Sequence, residues 1–172
     1  MAAIHFAAKN GHADAINALK NAKAGINAVI TDGSYKGLAA IHFAAENGDA
    51  NAITALKNAE ANVDAVVTDG SHKGCAAIHF AAVHGHAAAI IALKDAVADI
   101  NAVVTDGSYK GWAAIHLAAE NGHADAINAL KNADANVNAV ITDGSYKWLT
   151  AIHLAIRRGH AAAINALKDA GA

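Results

Sequence analysis

The stretch GLAAIHFAAENG, residues 37–48, decides the fold of this chain. Its Ala-Ile-His string recurs five times at intervals of 37 residues, with the isoleucine at Ile4, Ile41, Ile78, Ile115 and Ile152. An Asp-Gly-Ser string recurs at the same interval, starting at Asp32, Asp69, Asp106 and Asp143. A constant period of this length indicates a repeat array, in which each unit buries its apolar face against its neighbours.

The array is predicted to be one domain, because no change of composition or linker interrupts residues 1–172. It contains four and a half to five units. The unit boundaries are 1–38, 39–75, 76–112, 113–149 and 150–172.

Each unit is predicted to contain two short helices followed by a hairpin. In the second unit the first helix covers 39–46, and Gly48 ends it because glycine readily adopts the left-handed conformation. The second helix covers 50–59, where apolar residues recur at spacings of three and four. Alanine fills much of both helices, and small side chains let neighbouring units approach closely.

A hairpin is predicted after the second helix of each unit. The β-branched segment 62–68 leads into Asp69-Gly70, a pair that favours a two-residue turn with positive φ at both positions. Counting outward from the same turn in the first unit places Ile30 opposite Tyr35, as a cross-strand pair of a β-branched and an aromatic side chain.

Composition excludes several classes of protein. The chain is 55% hydrophobic, 5% aromatic and 16% charged, which argues against disorder, and its net charge of −2 argues against nucleic-acid binding. A single cysteine cannot form an internal disulfide. No apolar run approaches the roughly 20 residues of a membrane helix, and the first ten residues lack a signal-peptide pattern. We therefore expect a cytoplasmic or recombinant soluble protein without a membrane partner.

The repeated stretch resembles the ankyrin repeat. The family pattern Gly-x-Thr-Pro-Leu-His, Leu-Ala-Ala, Gly-His, Ala-Asp-Val-Asn-Ala is matched by residues 37–48, by GHADAI at 122–127 and by ANVNA at 135–139. The resemblance covers essentially the whole chain. It implies an all-α repeat solenoid of stacked helix pairs with extended β-hairpin loops, and it implies protein binding without catalysis or a cofactor.

The chain departs from the family pattern in three ways. Its period is 37 residues, whereas the usual period is about 33. The Thr-Pro pair is Ala-Ala in three units, which removes a helix cap, and only Thr150 keeps the hydroxyl. A family glycine after the second helix survives only as Gly171. Where it is replaced, either the backbone differs or stability is lower. The replacing residues are Lys23, Glu60, Val97 and Asp134.

Eleven histidines raise the question of a metal or catalytic site. Nine lie in register, and the resemblance implies that these imidazoles hydrogen-bond neighbouring backbone groups. They are His5, His42, His79, His116 and His153 at one position, and His12, His86, His123 and His160 at another. His72 and His84 are out of register and flank Cys75, but no CxxC or HxxxH spacing supports zinc, and no phosphate-binding loop occurs. We expect no metal, no cofactor and no enzyme activity.

The remaining candidates are positions at which the units disagree. In ankyrin arrays these columns line the concave face formed by hairpins and first helices, where partners bind. Trp, Tyr and Arg are enriched at interface hot spots, and both tryptophans fall in this set. The predicted partner-binding residues in repeats 3–5 are Cys75, Val83, His84, Tyr109, Trp112, Glu120, Asn121, Tyr146, Trp148, Arg157 and Arg158.

Within this set, Trp112 and Trp148 are predicted anchors, Val83 adds apolar contact, and Arg157-Arg158 pair with acidic groups of a protein partner. Trp148 replaces a glycine that three other units keep, so it is expected to lower stability. A costly exposed aromatic residue favours function. Two blander readings stay open, in which Trp112 fills a gap between hairpins and the two arginines form a solvated helix end.

The near-identity of the units favours a consensus-built, engineered binder. Two alternatives remain open. One is a ligand-free structural scaffold or spacer array, and the other is a natural ankyrin effector that arose by recent duplication.

Overall fold

The computed structural model describes all 172 residues. It contains ten α-helices, which form five consecutive pairs. The first helices of the pairs are α1 (Ala3–Lys9), α3 (Ala40–Glu46), α5 (Ala77–Val83), α7 (Ala114–Glu120) and α9 (Ala151–Arg158). The second helices are α2 (Ala13–Asn21), α4 (Ala50–Asn58), α6 (Ala87–Asp95), α8 (Ala124–Asn132) and α10 (Ala161–Asp169). In the second unit, each predicted helix differs from the observed one by a single residue at one end.

The helices stack in two parallel rows. Each first helix packs on the first helix of the next unit, and each second helix packs on the next second helix. This arrangement confirms the predicted all-α solenoid. None of the ten helices has the length and apolar character needed to cross a membrane.

The core runs continuously along the stack. Ile41 and Leu56, from the two helices of one unit, are buried, and so are Ala44 and Ala45. Because alanine projects only a methyl group, adjacent helices pack closely against each other. The period of the sequence therefore becomes a period of helix packing.

The in-register histidines tie the first helices of the first four units to the segment that follows the second helix of the same unit, whereas His153 bonds only Thr150. The His42 Nδ1 accepts a hydrogen bond from the Ala39 N–H at 2.9 Å, and its Nε2–H donates to the Ala65 carbonyl at 2.8 Å. His5, His79 and His116 make the same two bonds. This confirms their predicted structural role and gives the first turn a polar partner in the units without a threonine.

Burial keeps these imidazoles neutral. Desolvation lowers the pKa of His42 to about 4 and that of His79 to about 4, and it also lowers the pKa values of His5 and His116. The second histidine column is bonded in three units, where Nε2–H donates to a carbonyl of an earlier unit. These residues are His86, His123 and His160.

The loops between units do not have the predicted hairpin register. The Ile30 N–H donates to the Leu38 carbonyl at 3.0 Å and the Gly37 N–H donates to the Ile30 carbonyl at 2.8 Å, so the predicted pairing of Ile30 with Tyr35 is wrong. Two turns close residues 33–38 on themselves, and Tyr35 packs edge-on against the Phe43 ring at 5.3 Å. Each loop holds one isolated β-bridge, and no sheet forms.

The four loops, residues 30–38, 67–75, 104–112 and 141–149, stack in the same order as the helices. A lysine of each loop pairs with an aspartate of the next: Lys36–Asp69 at 2.7 Å, Lys73–Asp106 at 2.7 Å and Lys110–Asp143 at 2.8 Å. The lysine hydrogen bond lowers the pKa of each aspartate, and a backbone N–H of the following glycine adds to the shift.

A glycine near the end of each of the first three loops allows this close stacking. Gly74 has φ 85°, and a Cβ placed there would lie 2.2 Å from the Asp106 backbone nitrogen. Gly37 and Gly111 face the next loop in the same way, at 2.6 Å. The loop backbone therefore requires glycine wherever another loop lies beyond it.

The turns after the second helices keep a left-handed residue without glycine. Lys23, Glu60, Val97 and Asp134 have φ of 56°, 63°, 66° and 64°, and Gly171 has φ of 94°. The backbone is therefore conserved between units, and the four side chains occupy a conformation that is unfavourable for L-residues.

Candidate protein interface

The predicted interface residues lie in two kinds of position, on the loops and at the ends of the first helices. The loops position Tyr109 and Tyr146, and helices α5, α7 and α9 position residues such as Val83 and Arg157. We call the surface formed by these loops and helix ends the loop face. The structure separates its residues into an aromatic cluster, an arginine pair, an exposed tryptophan and a cavity.

The aromatic cluster is centred on Trp112. Its ring lies between Tyr109 and Tyr146, with centroids 5.4 and 5.3 Å away and both contacts edge-on. The side chain is only 4% exposed. Trp112 therefore fills the gap between the third and fourth loops and supports the two tyrosines, as in the interpretation that the sequence left open beside that of an anchor.

The two arginines have different surroundings. Arg157 lies over the Tyr146 ring, with Cζ 4.4 Å from the centroid, and it donates to the tyrosine hydroxyl. Arg158 pairs with Glu120, its Nε donating to Oε1 at 2.8 Å. The charge of Arg158 is therefore balanced within the chain, while Arg157 keeps an unpaired charge on the surface.

Trp148 is the large apolar residue that stands out on the loop face. It is 68% exposed and has φ 74°, and the Lys147 ammonium lies 4.8 Å from its ring. It occupies the position of Gly111, but no further loop lies beyond the fourth one in these 172 residues. Its Cβ therefore avoids the clash that a side chain at Gly111 would meet.

Two helix-end residues serve local structure as well as the surface. The His84 Nδ1–H donates to the Phe80 carbonyl at 3.0 Å, just as the Asn121 side-chain amide donates to the Leu117 carbonyl at 2.8 Å. His84 thus makes the bond that Asn10 and Asn121 make in the first and fourth units, and it leaves its Nε2 free. Val83 is half-buried against the core.

A cavity of about 240 Å³ opens on the loop face above Cys75. Burial raises the pKa of this thiol to about 11, so it is neutral and a poor nucleophile near pH 7. No group of three or more His, Cys, Asp or Glu side chains is arranged to hold a metal ion. The cavity is lined by His72, Cys75, His79, Phe80, Val83, His84, Tyr109 and Leu117.

Three features of this surface were not predicted from the sequence. The out-of-register His72 lies on the cavity rim, and Leu117 lines the cavity where other units have Phe43 and Phe80. The third is the pairing of Arg158 with Glu120. These residues are 38 positions apart, so adding one period plus one residue would have found the pair.

Comparison with known families agrees with the geometry. A family model described as ankyrin repeats, in three copies, matches residues 4–104 and 97–172. No curated protein sequence matches the chain.

Proposed function

The chain belongs to the ankyrin-repeat family, whose repeats are protein-interaction modules, and from this premise we propose that its loop face in repeats 3–5 binds a protein partner. The observation that carries the proposal is Trp148, which combines high exposure with a left-handed backbone. An L-residue in this conformation costs about 1–2 kcal/mol, and the exposed indole adds nothing to the core. Such a cost is explained if the ring contacts a partner.

The other predicted residues divide into contacting and supporting groups. Tyr109 and Arg157 are exposed and offer an amphipathic ring and an unpaired positive charge. Trp112 and Glu120 support this surface from beneath, through the tyrosine rings and through Arg158. We infer that Trp148 is the main anchor and that Arg157 selects an acidic group on the partner. Cys75, Val83, His84 and Asn121 border the contact, with Tyr146 holding Arg157.

We further propose that the chain is a consensus-built scaffold to which this binding surface was added. The second and third loops close with hydrogen bonds of equal length. The Val67 N–H donates to the Cys75 carbonyl and the Val104 N–H to the Trp112 carbonyl, both at 2.8 Å, while the side chains on the loop face differ. The competing function is a ligand-free spacer, which the internal pairing of Arg158 with Glu120 favours.

The test is a selection from a phage-displayed library of random peptides on the immobilised 172-residue chain. Recovered clones are then measured on a reverted variant that carries residues of the other units at four positions of the loop face. Its substitutions are Val83→Glu, His84→Asn, Trp148→Gly and Arg157→Glu. We expect at least a tenfold loss of affinity on this variant.

A matched control carries changes at equivalent positions of the first two units, Lys9→Glu and Asn47→His, and should bind the clones as the parent does. Clones that bind the reverted variant as tightly as the parent contradict the site. Recovery of no specific clone contradicts the binding function and favours the spacer.

A further inference from the structure

We infer that the cavity above Cys75 receives an uncharged aromatic side chain of the partner protein, in the position that Trp112 fills one repeat further along. This inference rests on the proposed function, because it names the chemistry of one contact of the same loop face. It concerns the gap between the second and third loops.

The cavity exists because two side chains are smaller than their counterparts. Cys75 stands in the column of Leu38 and Trp112, which fill the equivalent gaps on either side. Leu117 stands in the column of Phe43 and Phe80, and so a phenyl ring is also missing from the floor. The loop backbone does not collapse into the space, because the Lys73–Asp106 ion pair and the Thr105–Gly74 backbone bond hold the two loops at the common spacing.

The chain itself shows which group fits such a gap. Between Tyr109 and Tyr146, the equivalent gap holds an indole that meets both rings edge-on at 5.3–5.4 Å. The cavity has His72 and Tyr109 as the corresponding walls. Aromatic rings favour this edge-on arrangement, so the same two walls select a ring delivered from outside.

The size of the cavity favours a side chain over a larger ligand. A dry cavity of about 150 Å³ holds benzene, and pockets for drug-sized ligands are about 300–1,000 Å³. The volume of about 240 Å³ lies between these limits. The walls include no Asp, Glu, Lys or Arg, and Phe80, Val83 and Leu117 make them largely apolar.

Two polar groups on the rim keep free hydrogen-bonding capacity within the chain, the Nε2 of His84 and the hydroxyl of Tyr109. The Tyr35 hydroxyl accepts from Lys9 at 3.0 Å and the Tyr146 hydroxyl accepts from Arg157, whereas the Tyr109 hydroxyl makes no hydrogen bond. Val83 stands two periods after Lys9, at the same sequence distance from Tyr109 as Lys9 from Tyr35, and it has no polar group to offer. The free hydroxyl of Tyr109 can therefore accept from an indole N–H, which makes tryptophan the best-matched aromatic side chain.

The direct test uses indole as the probe and methyl-resolved NMR of the whole chain as the measurement. We expect saturable shifts of the Val83 and Leu117 methyl signals, with a dissociation constant on the order of 1 mM for so small a ligand. The Cys75→Trp variant, which fills the gap from within, should lose these shifts. The Trp148→Gly variant should retain them, because Trp148 does not line the cavity.

The Cys75→Leu variant carries the residue found in two other units and provides a folded comparison that should weaken indole binding at least threefold. Absence of saturable shifts in the parent chain overturns the inference, as do unchanged shifts in both Cys75 variants. The peptide clones separate this inference from the proposed function. Clones that lose affinity on the reverted variant but bind Cys75→Trp as tightly as the parent support the interface and overturn the aromatic contact.

Discussion

The gap above Cys75 and the gap that holds Trp112 are built on the same backbone. In both, the loop closes through a 2.8 Å bond from the glycine N–H to a valine carbonyl, and a lysine–aspartate pair joins the loop to the next at 2.7–2.8 Å. One gap is open and the other is filled by an indole. The repeat therefore determines the spacing of the loops, while a single side chain per loop decides whether the surface offers a cavity or a supported aromatic pair.

Acidification should destabilise the loops around both gaps alike, because the buried histidines that hold these loops become protonated. The pKa values of His42 and His79 are lowered to about 4, below the unfolded value near 6.5, so the unfolded chain binds more protons. Stability is therefore complete above about pH 6.5 and falls as the pH drops towards about 4, by about 3 kcal/mol for each of the two residues. Urea unfolding at a series of pH values across this window measures the loss.

The control is the His79→Gln variant, whose side chain does not titrate. The slope of its stability against pH should be shallower than that of the parent chain, because about one proton fewer is taken up on unfolding. Stability that stays constant from neutral pH to about pH 4 contradicts the assignment of neutral, buried imidazoles.

Replacing Trp112 by alanine should turn the filled gap into a second open one. Because the ring is 4% exposed, its removal should lower the free energy of unfolding by about 3–5 kcal/mol, measured by urea denaturation. The matched Trp148→Ala variant removes an exposed ring and should lose less than about 1 kcal/mol. Equal losses for the two variants contradict the division between a supporting and a surface tryptophan.

Replacing Trp148 by glycine should change the free energy of unfolding least, and it should raise that free energy rather than lower it. Relief of the left-handed conformation gains about 1 kcal/mol, and the greater freedom of glycine in the unfolded chain offsets part of it, which leaves a net gain of about 0.5 kcal/mol. Thermal or urea unfolding measures the change. The Gly111→Ala variant, at the equivalent position facing Asp143, should be clearly destabilised. A loss of stability in Trp148→Gly shows that the ring supports the fold.

Helix positions followed from the sequence because they depend on periodicity and on Gly48-type helix ends, both of which are local. The loop register did not follow. Asp-Gly favours a two-residue turn in isolation, but here Asp69 pairs with Lys36 of the preceding loop, and the left-handed Gly74 is fitted against the next loop. These constraints act between units, and a pattern within one unit does not contain them.

The candidate site was also predictable only in part. Comparing columns identified which residues share a face, and the structure places Tyr109, Trp112 and Tyr146 together. The position within the repeat does not predict how exposed a side chain is, however. Trp112 and Trp148 lie in neighbouring columns, yet Trp112 is buried and Trp148 is largely exposed. Depth depends on whether another loop covers the residue.

The stacked loops also make the distribution of charge along the array asymmetric. Each lysine pairs forward with the aspartate of the next loop, which leaves the Asp32 carboxylate of the first loop and the Lys147 ammonium of the fourth loop without ion-pair partners. The loop edge therefore resembles a long dipole that is negative at one end and positive near Arg157. An acidic partner approaching in solution would be oriented by this field before any contact forms, and it would arrive at the end that carries Trp148.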